Sequence, residues 1–423
     1  MLFDPSREQG GSSRSLLICD LTQSWSPRGG GGISTYLKEK RDWVLRETPH
    51  HLLQIVPGVE DRVSTNGRHV FAQVAAPPVR GSPNYRFILR TQTVRDLLAR
   101  YRPDVIESLC PWLLPWTAIN HRRAHPGTAL VAGYRTDFPN AHIYRVGREK
   151  FGATIASALK RLSYGYAGLT YRAFDHVYTL GPAAQATLAG HGVTRTSVLP
   201  LGTDTDLFSP GKRDPGYRAS LGLAGDGPLL IYAGRIDNEK RADRLLALMR
   251  ALPAGFGAAL VMIGDGKLRA PLMAEAAAAG LPVAFPGFES DRAGLARALA
   301  SSDLYVSAMA DETFGISVLE AQASGLAVVG VASGAMPERV PATLGRLGPV
   351  DDVAAMAANA VFLWQSGAAR AMREQARAHV LAGFSWRRTF ETLFDEIYSQ
   401  ALTRAAERRE VRPQRPRRLA EAG

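Results

Sequence analysis

Two glutamates, Glu312 and Glu320, stand eight positions apart in ADETFGISVLEAQASGLAVVG, the stretch from Ala310 to Gly330, with Phe314 and Gly315 between them. A helix is predicted to open near Gly315 and close at Gly325, where glycine can take the left-handed stop. It would carry Ile316, Leu319, Glu320 and Ala323 on one stripe. A carboxylate among such neighbours is costly unless something donates hydrogen bonds to it. No Lys or Arg lies in that helix. The partner of Glu320 must therefore come from elsewhere in the fold or from a ligand, and a plain structural tie to a backbone amide is the alternative.

Two other loops carry residues suited to an anion. SPRGGGGIS, Ser26 to Ser34, has four consecutive glycines, Gly29 to Gly32. They allow close backbone approach, and the helix expected from Ile33 offers unpaired amides. Ile33 and Ser34 stand where the dinucleotide fingerprint needs its last glycine, and nothing matches the phosphate-binding G-x-x-x-x-G-K-[ST] pattern. YAGRIDNEKRADRLL, Tyr232 to Leu246, places Arg235 and Lys240 between a strand end and a helix start. An arginine fork and a lysine point charge on one such loop suit a diphosphate. A surface Lys240 paired with Glu239 is the competing reading.

The elements that must hold these loops alternate along the chain. SLLICDL, HLLQIV, VFAQVA, DVIESL, ALVAGY and HVYTLG read as buried strands in the first half. A second set follows in GPLLIYAGRI, AALVMIGDG, PVAFPGF, DLYVSAM and LAVVGVAS, with helices expected near 242–252, 268–279, 292–302 and 315–324. The fold class is therefore α/β: two doubly wound Rossmann-like domains facing across a cleft, with ligands sought beyond the carboxyl ends of the strands. The expected limits are residues 1–200, a first domain; 201–385, a second domain; 386–405, a terminal helix; and 406–423, a disordered basic tail. The Gly, Pro, Asp and Thr of LPLGTDTDLFSPGKRDPG mark the linker. In the terminal helix Trp386, Phe390, Leu393, Phe394 and Ile397 recur at helical spacing and need a docking surface.

The 423 residues are 46% hydrophobic and 21% charged, which is a folded composition for more than one domain. Only two cysteines occur, Cys19 and Cys110, so a disulfide framework is not expected and a reducing compartment is. No apolar run has membrane-spanning length, and the start lacks a basic segment leading into an apolar one; a soluble, cytoplasmic chain is the expectation. The formal charge of +12 is concentrated in the tail and in residues 84–102 and 144–166, where Arg and Lys interleave with Phe, Ile, Leu and Tyr. A solvated helix face, a nucleic-acid surface and an anionic bilayer patch compete to explain it.

RGGGGIS, VLPLGTDTDLFSP, YAGRIDNEK, VMIGDGKLRAPL, DETFGISVLEAQASGLAVV and SGAMPERV, in that order, resemble the retaining glycosyltransferases of family 4, whose fold is the two-domain GT-B type. The likeness runs from about residue 16 to about residue 400. It implies transfer of a hexose from a nucleotide-diphosphate sugar to an acceptor hydroxyl, such as one of a membrane glycolipid or phospholipid headgroup, with residues 1–200 as the acceptor-side domain, 201–385 as the nucleotide-sugar-binding domain and the terminal helix 386–405 crossing back to the first domain. By that resemblance Glu320 receives the ribose hydroxyls, Glu312 faces the donor sugar, and Arg235 and Lys240 hold the diphosphate. Gly31 and Gly32 bring first-domain amides to it, and backbone at Gly287 and Phe288 borders the base. Phe314, Gly315 and Ile316 fall on the substrate side, the last two at a helix start that can support phosphate.

Breaking the bond from anomeric carbon to phosphate builds negative charge on the leaving diphosphate, which preorganised donors stabilise. No Asp and His cluster has metal-ligand spacing, so neither a metal nor a cofactor is expected. A hydrolase using both glutamates would need them roughly 5 to 10 Å apart across one bond. Eight largely helical residues span about 12 Å. On the acceptor side, GYRTDFPNAHIYR resembles a stretch that in many relatives reads His-Thr-Asp-Phe-Pro. Arg135 replaces that histidine, Asp137 is the candidate to bind or deprotonate the acceptor hydroxyl or simply to form a turn, and His142 reads as surface. Membrane-associated relatives place a lipid-headgroup surface near the basic segment Tyr144 to Tyr166, so the expected partners are a donor nucleotide sugar, an acceptor glycan or lipid and an anionic membrane surface. A GT-B epimerase, a dinucleotide oxidoreductase and a basic nucleic-acid-binding protein are the alternatives, with nucleic acid not expected as a partner.

Overall fold

The computed structural model describes residues 14–25, 32–79 and 82–411. The chain divides into one compact unit of Met1–Leu199 with Phe390–Gly423 and a second of Pro200–Thr389. In the first unit the strands are β1 (Leu17–Leu21), β2 (His51–Gly58), β3 (Arg62–Asn66), β4 (His69–Ala75), β5 (Pro78–Val79), β6 (Ser82–Arg86), β7 (Val105–Ser108), β8 (Ala129–Tyr134), β9 (His176–Thr179) and β10 (Thr196–Val198). The second unit has β11 (Leu229–Ala233), β12 (Ala259–Ile263), β13 (Val283–Gly287), β14 (Leu304–Val306), β15 (Ala327–Val331) and β16 (Gly345–Gly348).

The first sheet runs β10-β9-β8-β7-β1-β2-β4-β3 and the second β13-β12-β11-β14-β15-β16, with β5 and β6 forming a separate ribbon. Every pairing in the second sheet is parallel. In the first, only the edge strand β3 is antiparallel to its neighbour. β1, β11, β12 and β15 are buried at every position, as helix cover on both faces of a parallel sheet requires. Strand order reverses between β1 and β7 and between β11 and β14, so each unit has a switch point where loops diverge and a ligand site can form.

The strand runs read from the sequence all appear. Those it missed lack an apolar run: β3 reads RVSTN and is wholly exposed, and β16 reads GRLG. The four expected helices of the second unit are Asp243–Ala251, Arg269–Ala278, Arg292–Ser301 and Ile316–Ala323. The last is entered at Gly315 (φ 85°) and left at Gly325 (φ 82°).

At the chain end, Phe390, Leu393 and Ile397 are fully buried in the first unit, where the Phe390 ring lies 5.6 Å from those of Tyr36 and Trp43. One expectation needs correction. Residues 406–411 are helical, not disordered, because the helix Ser399–Val411 is pinned by its arginines. Arg404 donates to the Asp175 carbonyl, and Arg408 grips both Asp175 carboxylate oxygens and the Thr128 carbonyl. The rest of the expected tail, from 412, lies outside the described residues. Among the described residues no helix is long and apolar enough to cross a membrane.

Candidate active site

In the second unit the switch point brings two expected site residues together. The loop after β11 carries Lys240 and the loop after β14 carries Glu312. Lys240 Nζ lies 3.3 Å from Glu312 Oε2 and 2.8 Å from Met309 Sδ. The alternative pairing of Lys240 with Glu239 is not the one formed, because Glu239 bonds Arg235 at 2.8 Å, as Asp237 also does at 2.5 Å. A thioether is a weak acceptor, so Lys240 keeps most of its charge for Glu312 or an incoming anion.

Glu312 is held from three sides. Its Oε1 accepts from the amides of Thr313 and Gly315, each at 3.1 Å. Its carbonyl accepts from Ala335 at 2.7 Å. Gly334 makes that contact feasible: its φ is 59°, and a Cβ there would sit 2.5 Å from the Glu312 carbonyl oxygen. The carboxylate thus rests at the amino end of the helix Ile316–Ala323, where the helix dipole favours negative charge. The Gly315 amide, at the helix start expected to support phosphate, donates to Glu312. Ile316 is partly exposed. Phe314 is buried, its carbonyl bonds Arg339 at 3.0 Å, and the Arg339 guanidinium covers its ring at 4.3 Å.

Glu320 is buried, as its position on the helix required, but it does not lack a donor. Arg292 Nη1, from the first turn of the helix Arg292–Ser301, reaches Glu320 Oε1 at 2.9 Å. Burial pushes the Glu320 carboxyl above its ordinary range, and Arg292 offsets this only in part. Arg292 is also stacked 4.8 Å above the Phe208 ring. Neither Arg292 nor Gly334 was legible as a site residue. The only signal for Arg292 was the need of Glu320 for a cation. Gly287 and Phe288, at the end of β13, line a cavity of about 160 Å³ with Tyr217, Pro286 and Arg297, and the Phe288 side chain is largely exposed.

In the first unit, Gly31 lies outside the described residues, and Gly32 opens the helix Gly32–Glu47. That helix is fixed by a buried charge cluster no sequence pattern announced. Asp20 on β1 and Glu107 on β7 are register partners, and the wholly buried Lys40 donates to both, with Glu107 Oε2 at 2.5 Å. Tyr36 and Tyr178 donate to Glu107 Oε1 at 2.8 and 2.5 Å, and Tyr398 from the chain end donates to Oε2. Burial alone would push Glu107 up. Lys40 and the hydrogen bonds outweigh it and hold this carboxyl below its ordinary range. Asp20 stays raised because burial exceeds the pull of Lys40.

Arg135 follows β8, is buried, and lies with its guanidinium 4.3 Å over the Tyr36 ring; its Nη1 has no hydrogen-bond partner among the described residues. Asp137 accepts from Tyr134 and Tyr164, each at 2.8 Å. Both of its oxygens therefore already tie β8 to the helix Arg145–Tyr171, a structural role beside the acceptor role expected. Burial, with Asp137 second, raises both phenols above their ordinary range. This segment is broken at Gly152 (φ 81°); it exposes Phe151 before the break and Ile155, Leu159 and Leu162 at successive turns after it, and Arg148, Lys150 and Arg161 are also exposed on it.

Residues 30–207 match the family Glycosyltransferase Family 4, and residues 214–379 match Glycosyl transferases group 1. The chain is 29% identical over 395 residues to the GDP-mannose-dependent alpha-(1-6)-phosphatidylinositol dimannoside mannosyltransferase of Mycobacterium tuberculosis, covering 92% of this chain and 97% of that one. It is 30% identical over 345 residues to a GDP-mannose-dependent alpha-mannosyltransferase of Mycobacterium tuberculosis, covering 79% and 84%. Among solved structures, sucrose-phosphate synthase from Thermosynechococcus elongatus shares its fold with a TM-score of 0.73 at 20% identity, over 91% of this chain and 99% of that one. With two switch-point sheets, the Lys240 and Glu312 pair and these likenesses in place, the chain belongs to glycosyltransferase family 4 and is a nucleotide-sugar glycosyltransferase of GT-B fold.

Proposed function

We propose that the chain transfers mannose from GDP-mannose, with retention and without a metal ion, to a hydroxyl of a phosphatidylinositol-type glycolipid at the inner face of a membrane. The donor half rests on the placement of Lys240 against Glu312 at the carboxyl ends of β11 and β14. As the sugar–phosphate bond breaks, Lys240 neutralises charge growing on the leaving diphosphate while Glu312 faces the sugar. Arg235 adds a second cation. Its pairs with Asp237 and Glu239 are exposed and weak, so a diphosphate competes for the fork. Glu320, kept in place by Arg292, accepts the ribose hydroxyls through its remaining lone pairs, and the backbone at Gly287 and Phe288 borders the base.

Mannose, GDP and a phosphoinositide acceptor are supported by the mannosyltransferase relatives named above. Membrane contact is supported by the exposed apolar residues and cations of the helix Arg145–Tyr171, chemistry that suits an anionic leaflet.

The test is incubation of the purified chain with radiolabelled GDP-mannose, UDP-glucose or UDP-galactose and vesicles containing phosphatidylinositol and its mannosides, with and without EDTA. Label should enter the lipid phase from GDP-mannose alone, at a rate EDTA leaves unchanged. Transfer only from a UDP sugar, release of free mannose only, or loss of activity in EDTA would each overturn the corresponding part of the proposal.

A further inference from the structure

A second cavity, of about 430 Å³, lies at the opposite end of the second sheet from the residues just described. Its lining includes Gly227 and Leu229 at the amino end of β11 and Asp303 just before β14. The five-residue β11 thus separates it from Arg235 and Lys240 by roughly 17 Å. The volume is within the range of about 300 to 1,000 Å³ typical of small-ligand sites.

Four arginines line it: Arg213, Arg218, Arg370 and Arg373. Two are committed to the fold. Arg213 donates to the carbonyls of Ala300 and Ser302 and to Asp303, and Arg218 donates to those of Ala224, Gly227 and Gly257. The side chains of Arg370 and Arg373 make no hydrogen bond or ion pair among the described residues. Arg373 is partly buried; burial first, then Arg213, weaken its hold on its proton, with Asp303 opposing them and Arg370 adding a smaller repulsion. The helix Ala368–Gly383 begins at the same cavity; its Ala368 amide is met by the Ser366 hydroxyl at 3.3 Å, while its cap Gly367 offers no side-chain acceptor and its first turn carries no acid. Its positive end adds to the uncompensated field.

The carboxylates do not cancel this. Asp303 is used by Arg213 and by the Leu229 amide, and Asp214 by the Gly216 amide and Arg297. Asp226 is left over as a hydrogen-bond acceptor, and the flat side chain of Trp364 also lines the cavity. Free cations, a hydroxyl acceptor and an aromatic face lining one cavity make a set that suits a phosphate joined to a polyol.

We propose that this cavity is a binding site for a sugar phosphate, with Arg370 and Arg373 holding the phosphate and Asp226 and Trp364 meeting the sugar. It is separate from the donor site and does not depend on the donor assignment.

Calorimetric titration of the full chain at low ionic strength tests it, with mannose 6-phosphate, GMP and inorganic phosphate as probes. Mannose 6-phosphate should bind one per chain and more tightly than inorganic phosphate. Arg373→Met, which keeps the aliphatic stem packed, combined with Arg370→Met should weaken it about tenfold or more, as loss of two charge-assisted contacts requires. Glu320→Ala should leave it unchanged. Without ligand the double variant should melt no lower than wild type, since it relieves like-charge crowding. The proposal is overturned by no binding of mannose 6-phosphate, by binding that survives the double substitution or is lost in Glu320→Ala, by inorganic phosphate binding equally well, or by GMP binding more tightly through Arg370 and Arg373.

Discussion

Removing the Arg292 side chain takes away the cation that, among the described residues, compensates Glu320. The Glu320 side chain is 6% exposed and that of Arg292 is 40% exposed. A hydrogen bond to a charged group contributes about 1.5–3 kcal/mol. Solvent screening at the exposed guanidinium reduces this to about 1–2 kcal/mol at neutral pH. Arg292→Ala should therefore lower the melting temperature of the second unit by roughly 2–8 °C. The folded pKa of Glu320 already lies above its unfolded value, so its contribution to stability is greatest below the unfolded pKa and is lost as pH rises through the folded one. Without Arg292 that folded pKa climbs further. The gap between variant and wild type should open as pH rises through the range where Glu320 ionises and close in acid, where the carboxyl is neutral in both. Melting curves from about pH 4 to 8, with donor KM measured in parallel, report both effects. KM should rise several-fold, and Arg292→Lys should recover part of it. A melting difference that persists unchanged into acid, or a donor KM equal to wild type, would show that Arg292 does not hold Glu320 for a ligand.

Other substitutions separate chemistry from scaffold. Lys240→Ala should lower kcat about 100- to 1000-fold, the scale for losing one charge-stabilising donor, while shifting stability by about 1 kcal/mol or less; equal kcat in steady-state assays would remove Lys240 from the reaction. Gly334→Ala should destabilise by roughly 1–3 kcal/mol and reduce kcat more than KM, because its φ of 59° and the close Glu312 carbonyl displace that glutamate; an unchanged denaturation midpoint would contradict this. Lys40→Met should cost about 3–5 kcal/mol in chemical denaturation by leaving Asp20 and Glu107 uncompensated; a change under 1 kcal/mol would mean the pair is neutral in the folded chain. Phe151→Asp with Leu162→Asp should reduce flotation with anionic vesicles without altering the melting temperature, since both side chains are exposed; undiminished flotation would place membrane contact elsewhere.

What the sequence determined by itself is what depends on near neighbours along the chain. Apolar runs of strand length predicted β1, β2, β4, β7 to β9 and β11 to β15, and the glycines at 315 and 325 bounded the helix that buries Glu320, because periodicity and turn chemistry are set within a few residues. The order of motifs gave the family. The tertiary structure decided the partners. Arg292 meets Glu320 across 28 positions, Lys240 meets Glu312 across 72, and Tyr398 reaches Glu107 across 291. Such pairs follow from strand register and from which helix face lies against the sheet. Chain-local patterns carry neither, so they could say that Glu320 needed a donor without saying which.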